Sequence, residues 1–126
     1  MLLSEYLSGI AKAIDEYSKT NLIIDSDLNT DFRTEKIGIV RGSITFVDES
    51  RPVFAEYVDV RYKVEKITYS YHYQDGSGNL IFRYDNARHK PQPAFKDHKH
   101  LSSSKIIQSD IPDFSAILDE IVEYLV

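Results

Sequence analysis

The chain of 126 residues contains no cysteine. Disulfides, thiolate zinc sites and cysteine nucleophiles are therefore excluded, and any metal site would have to use histidine and carboxylate ligands. No apolar run approaches the roughly 20 residues that a membrane span requires, so we expect no membrane partner. The first residues carry no basic segment and include Glu5, unlike a secretory signal, and we expect a cytoplasmic protein.

The chain is acidic overall, with a net charge of −5, but much of its positive charge is concentrated in one segment. Residues 83–105 hold six basic and two acidic residues, a local charge of +4, so the remainder carries −9. Three of the four histidines lie within residues 89–100. Since histidine titrates near neutrality and cationic side chains hold anions, this basic segment predicts a phosphate-handling site. The acidic remainder favours a short or locally presented nucleic acid over a long one.

A length of 126 residues and a mass of 14.5 kDa predict one domain spanning residues 1–126. Apolar residues recur at three- and four-residue steps over residues 3–19 and again from Phe114 to Leu125, which predicts two amphipathic helices. Pro112 would lie just inside the start of the second helix, with Ser109 or Asp110 as its cap.

Between the helices the apolar period changes to two, over residues 22–33, 37–47, 52–60, 64–73 and 80–84. In the fourth strand this places four residues on one face, Ile67, Tyr69, Tyr71 and Tyr73. Consecutive half-polar strands predict an α+β fold, an antiparallel meander of about five to six strands with the N-terminal and C-terminal helices covering one face. Residues 87–103 are expected to form a long irregular connection, of the kind that is usually functional.

Alternation along the last hairpin assigns its residues to faces. When the apolar residues of the second strand point inward, Arg83 and Asp85 point outward, together with the polar residues of the first strand, Thr68, Ser70 and His72. His98 and His100 would share a face if their segment were extended. The sequence therefore predicts a polar floor on the uncovered face of the sheet, beside a histidine-rich loop, with Arg83 and Asp85 outside the core.

The run Leu80-Ile81-Phe82-Arg83-Tyr84-Asp85-Asn86, with His89 soon after it and His98-Lys99-His100 about ten residues later, resembles the TumE family of prokaryotic toxins. Residues 42–48, residues 69–75 and the acidic C-terminal helix follow the same order as in that family. The chain departs from the family at His89-Lys90, where a histidine pair is usual, and in the turn at residues 48–50, where glycine is usual.

The resemblance implies the toxin of a two-protein, type II toxin–antitoxin system with a cognate antitoxin as its partner. We expect an endoribonuclease that acts on RNA without a metal or other cofactor, by general acid–base catalysis and stabilisation of the phosphoryl charge. The candidate catalytic residues are Arg83, Asp85, His89, His98 and His100. The candidate substrate-binding residues are Asn86, Arg88, Lys99 and His72.

Several alternatives stay open. In a metal-dependent nuclease, His89, His98 and His100 would bind zinc or manganese with Asp85, although Lys99 and the other basic residues nearby disfavour a dication. In a non-catalytic module, the basic segment would grip nucleic acid, an antitoxin or a target protein. A homodimer is also left open. The purely structural interpretations are a surface ion pair between Arg83 and Asp85, a solvated loop at residues 98–100, tyrosines that pack in the core, and an asparagine at position 86 that ends the strand.

Overall fold

The computed structural model, which describes residues 1–87 and 95–125, is a seven-stranded antiparallel sheet with a helix at each end of the chain. The elements in chain order are α1 Leu3–Ser18, β1 Ile23–Phe32, β2 Ile37–Phe46, β3 Arg51–Asp59, β4 Glu65–Gln74, β5 Leu80–Asp85, β6 His98–Leu101, β7 Ile106–Gln108 and α2 Phe114–Leu125. Each strand pairs with the next one along the chain, so the sheet is a meander. The predicted α+β class and topology are confirmed.

The hydrophobic core lies between the two helices and one face of the sheet. α1 contributes three buried residues and α2 four, namely Leu3, Ile10, Ile14, Phe114, Ile117, Leu118 and Ile121. The sheet contributes the alternate residues of its strands that are buried, among them Val40, Ile44, Phe54, Tyr71, Tyr73 and Phe82. We call the other side of the sheet, to which Arg41, Ser70 and Arg83 belong, the open face. No helix of the described residues is long and apolar enough to cross a membrane.

The count of seven strands exceeds the predicted five to six because β6 and β7 are short. β6 has four residues and β7 three, and β6 lies inside the segment that was expected to be irregular. Strands of this length show too few alternations to be read from the sequence. Their pairing with β5 and with each other defines them instead.

Two local predictions are wrong. The cap of α2 is Asp113, whose carboxylate accepts a hydrogen bond of 2.8 Å from the backbone N–H of Ala116, so the helix begins beyond Pro112 and the predicted caps Ser109 and Asp110. Ile67 does not point into the core, because a bulge shifts the register of β4 between its pairs with Tyr57 and Val58. The bulge leaves Ile67 exposed.

Lys66, on the other side of this bulge, takes part in a buried polar cluster on the helix-covered face. Its ammonium lies 3.5 Å from the carboxylate of the fully buried Glu56 and donates to the Tyr71 hydroxyl and to the carbonyl of Pro112. Tyr6 of α1 and Tyr71 both donate hydrogen bonds to Glu56. Burial lowers the pKa of Lys66 in spite of the nearby Glu56 charge. The cluster therefore joins α1, β3 and β4 through one satisfied ion pair.

Replacing Glu56 tests this cluster. Glu56→Gln should lower the free energy of unfolding by about 3 to 5 kcal/mol, because the buried ammonium of Lys66 loses its counter-charge. The double variant Glu56→Gln/Lys66→Met removes the orphaned charge and should recover most of the loss. Urea unfolding of wild type and both variants gives the comparison, and equal destabilisation of the single and double variants would show that the ion pair is not the cause.

Candidate active site

The register of β4, β5 and β6 brings five of the predicted site residues together on the open face. Arg83 of β5 pairs with His72 of β4 on one side and with His100 of β6 on the other. Asp85 pairs with Ser70 and with His98. Since residues directly opposite one another point to the same face, the predicted grouping of Arg83, Asp85, Ser70 and His72 is confirmed, and His98 and His100 join it.

Asp85 is the centre of this group. Its Oδ2 atom accepts a hydrogen bond of 2.6 Å from Nε of Arg83, and Nε2 of His100 lies 3.4 Å from the same oxygen. Its Oδ1 atom lies 2.5 Å from Nε2 of His98. Asp85 lies on the open face, as expected. Its side chain is nevertheless buried there, with 1% exposed, so the expectation that it reaches solvent is wrong. The strand β6, which covers it, was not predicted.

His98 has its orientation fixed by two partners. Its Nδ1 atom lies 3.0 Å from the carbonyl oxygen of Lys96, which can only accept, so Nδ1 carries a proton. Nε2 faces the Asp85 carboxylate and forms an ion pair with it when the ring is protonated. The side chain of His98 is 1% exposed, so it is shielded from solvent.

Of the three side chains that contact Asp85, those of His100 and Arg83 reach solvent, although Nε2 of His100 is buried. Their side chains are 18% and 36% exposed, and the His100 ring lies 5.2 Å from that of His98. Arg83 also approaches His72, with 3.4 Å between Nη1 and Nδ1. Burial, and then the charge of Arg83, lower the pKa of His72, which favours a neutral ring that accepts this contact.

Electrostatics keep the buried carboxylate ionised. Burial acts to raise the pKa of Asp85, but the hydrogen bond from Arg83 and the charges of His98, Arg83 and His100 outweigh it and hold the pKa below its ordinary value. A negative charge surrounded by three nitrogen groups fixes their geometry. The arrangement can therefore present His100 and Arg83 to an anionic ligand in defined positions.

The other predicted site residues lie elsewhere. Lys99 points to the helix-covered face, where its ammonium binds Glu120 of α2 at 2.8 Å and lies over the rings of Phe82 and Tyr84. The side-chain amide of Asn86 is engaged by β4, accepting from the N–H of Tyr69 and donating to the carbonyl of Ile67. β5 ends at Asp85, and the Asn86 side chain just beyond it bonds to the backbone of β4, as expected for an asparagine that ends the strand. Arg88 and His89 lie outside the described residues.

A cleft of about 290 Å³ adjoins Arg83 and Asp85 on the open face. Two of its lining residues, Arg41 and Tyr57, were not found from the sequence. Arg41 occupies an outward position of β2 between Val40 and Gly42, which are both buried. The sequence does show one basic residue, Arg41, within a largely apolar strand. Its position near Asp85 follows only from the order of the strands in the sheet.

The ligand atoms of Asp85, His98 and His100 lie within 4.8 Å of one another, and this donor set suits zinc or manganese. The spacing, however, is that of an ion pair. Atoms bound to one tetrahedral zinc at about 2.0 to 2.1 Å are about 3.3 Å apart. Oδ1 of Asp85 and Nε2 of His98 are separated by 2.5 Å, so this pair would have to open before both atoms could bind an ion.

Comparison with known proteins gives one family. The family model described as Toxin TumE matches residues 10–125, which is nearly the whole chain. No curated protein and no solved structure is significantly similar to this chain.

The buried carboxylate gives a pH-dependent prediction. Because the pKa of Asp85 is lowered on folding, its stabilisation is present above the ordinary value of 3.8 and is lost as the pH falls through the folded value. Asp85→Asn should therefore cost about 3 to 5 kcal/mol near neutral pH, and the difference from wild type should shrink below pH 3.8. Urea unfolding at a series of pH values measures it.

The matched control is Asp31→Asn, which removes an exposed carboxylate from β1. Asp31 faces solvent, and its contact with Arg33 is a surface pair of small energy. Little change is expected at any pH. A loss for Asp85→Asn that is the same at acidic and neutral pH would contradict the ion-pair role of Asp85.

Proposed function

Because the chain belongs to the TumE toxin family, we propose that it is the toxin of a type II toxin–antitoxin system and that it cleaves RNA without a metal ion. The observation that supports the nuclease is the Asp85 carboxylate on the open face, which contacts Arg83, His98 and His100 together. Two imidazoles and a guanidinium around one carboxylate suit acid–base chemistry on a phosphodiester.

The proposed reaction begins when a basic group removes the proton of a ribose 2′-hydroxyl. The 2′-oxygen then attacks the adjacent phosphorus, and the bond from phosphorus to the 5′-oxygen breaks while an acidic group protonates the leaving oxygen. The products are a 2′,3′-cyclic phosphate and a 5′-hydroxyl. Negative charge develops on the phosphoryl oxygens, where a guanidinium stabilises it.

The proposed role of each residue follows from how far its side chain is exposed to solvent. His100 and Arg83 are partly exposed, so His100 is proposed as one acid–base group and Arg83 as the phosphoryl-binding group. Asp85 and His98 are buried and are proposed to position these two. His89 remains the candidate for the second acid–base group.

The proposed partner is a cognate antitoxin that occupies the open face. The apolar side of the sheet is covered by this chain's own helices, whereas the open face carries the arginines and histidines of the site. An acidic or extended segment would match this chemistry and would block RNA by occupying the same surface.

A metal-dependent nuclease is the second candidate function, and the cluster of Asp85, His98 and His100 favours it. Lys99 does not oppose a dication at this cluster, contrary to expectation, because it lies on the opposite face and pairs with Glu120. Arg83, bound to Asp85 at 2.6 Å, still opposes a second cation at this carboxylate.

Substitution of the exposed pair tests the nuclease. His100→Ala and Arg83→Ala should each lower RNA cleavage by about 100- to 10,000-fold, because acid–base and charge-stabilising groups contribute this much. His100→Ala should stay folded, whereas Arg83→Ala removes a partner of the buried Asp85 charge and should lower the melting temperature, so cleavage is compared at a temperature at which both variants are folded. The measurements are growth after induction, cleavage of total RNA by the purified protein, and thermal melting.

Lys19→Ala is the control, because it removes one exposed charge from the C-cap of α1, on the other side of the sheet. It should arrest growth and cleave RNA as wild type does. Folded His100→Ala and Arg83→Ala variants that still cleave RNA would refute the assigned roles. Growth arrest by wild type with no RNA cleavage would favour the non-catalytic binding module.

Chelation separates the two nuclease mechanisms. The metal-free proposal expects RNA cleavage to survive EDTA, because no step needs a Lewis acid. Cleavage lost in EDTA and restored by zinc or manganese, with about one bound ion per chain in the purified protein, would establish the metal-dependent alternative. Wild type treated with EDTA and then with magnesium controls for effects of the chelator on the RNA itself.

A further inference from the structure

The cleft beside the candidate site has an apolar floor and a cationic end. Its floor is formed by three residues of β2 and β3, Ile39, Ala55 and Tyr57. Arg83 and Asp85 line it on the side of the candidate site, and Arg41 lines it on the side of β2. At about 290 Å³ it is near the lower limit of small-ligand pockets, which corresponds to a single nucleotide rather than a folded nucleic acid.

Arg41 is available to bind an anion. Within the described part of the chain its guanidinium forms no ion pair and no side-chain hydrogen bond, whereas Arg61 and Arg83 each bind a carboxylate. Its direct partners across the sheet are Asn29 and Ala55, which are uncharged. An exposed guanidinium at the end of an apolar cleft matches a phosphate, which it can bind through two parallel hydrogen bonds.

Tyr57 provides a surface for stacking. It is 36% exposed, although it lies on an inner strand of the sheet and pairs with Ile39 on one side and Thr68 on the other. Both helices lie on the other face, so no element of the described chain covers this ring. Exposed aromatic rings on a sheet bind unpaired bases by stacking, which is a common mode of single-stranded RNA recognition.

The spacing between the two arginines fits a short stretch of RNA. Arg41 of β2 lies in the same register row as Asp85 of β5, three strands away, which is about 14 Å at the usual strand separation, and Arg83 lies two residues further along β5. We propose that this cleft binds the nucleotide next to the scissile phosphate of a single-stranded RNA, with the base stacked on Tyr57 and the following phosphate held by Arg41. The proposal rests on the proposed ribonuclease function and names the part of the substrate that the open face binds.

Binding and cleavage test the cleft separately. The probe for binding is a fluorescein-labelled, random-sequence RNA of about 12 nucleotides with 2′-O-methyl riboses, which cannot be cleaved through the 2′-oxygen. Tyr57→Ala should raise the Kd about 5- to 100-fold, as expected when one stacked base loses its ring. Arg41→Gln should raise the Kd and reduce the slope of log K against log salt by about 0.7, the value for one phosphate on a single strand.

Arg33→Gln is the matched control, because it removes the same charge from an exposed site in the turn between β1 and β2. It should bind the probe as wild type does. With cleavable RNA, Arg41→Gln and Tyr57→Ala should raise KM and leave kcat within about threefold, since both residues lie away from the reacting atoms. Circular dichroism and melting verify that each variant is folded.

The outcomes distinguish this proposal from the proposed function. Cleavage that depends on Arg83 and His100, with unchanged Kd and KM for Arg41→Gln and Tyr57→Ala, would overturn the cleft and leave the nuclease intact. Binding that depends on Arg41 and Tyr57, without cleavage of any RNA by wild type, would support the cleft and overturn the nuclease. Failure of wild type to bind the probe would overturn the cleft.

Discussion

The buried charge of Asp85 is the constraint that organises the open face. A carboxylate with almost no exposure is tolerated when its charge is compensated by close partners. Here Arg83 and His98 lie within hydrogen-bonding distance of it on two sides. Those partners come from the same strand and from β6, so the ion pairs also attach β6 to β5. Because β6 carries His100 as well, the contact that satisfies Asp85 brings His100 into the same group.

The sheet separates two polar systems that are close in sequence. His98 and His100 face Asp85, whereas Lys99 between them crosses to the helices and binds Glu120, which also accepts from Tyr84. The second system helps to hold α2 against the sheet, and the Glu56 and Lys66 cluster does the same for α1. The two systems therefore attach both helices to one face of the sheet, and neither helix covers the open face.

The TumE family membership and the open face together give a consistent account of the protein. In the proposed mechanism, buried residues position the groups that touch RNA, and partly exposed residues carry out the chemistry. The cleft towards β2 extends the same surface with an aromatic ring and with the guanidinium of Arg41, which forms no ion pair within residues 1–87 and 95–125. An acidic protein can bind RNA in this way because a few well-placed cations and a stacked base replace a broad basic surface.

The sequence by itself determined the helices, the long strands and the faces of residues 68–73 and 82–85, because helical and strand periods are local properties of the chain. It therefore placed Arg83, Asp85 and His72 on one side. The tertiary structure decided which of them are buried, since the burial of Asp85 depends on β6, a strand defined by pairing. It likewise decided that Lys66 is buried and Ile67 is exposed, because a bulge reverses the alternation of β4 there. The sheet order also decided the position of Arg41, which lies near the site only because β3 and β4 pair between β2 and β5.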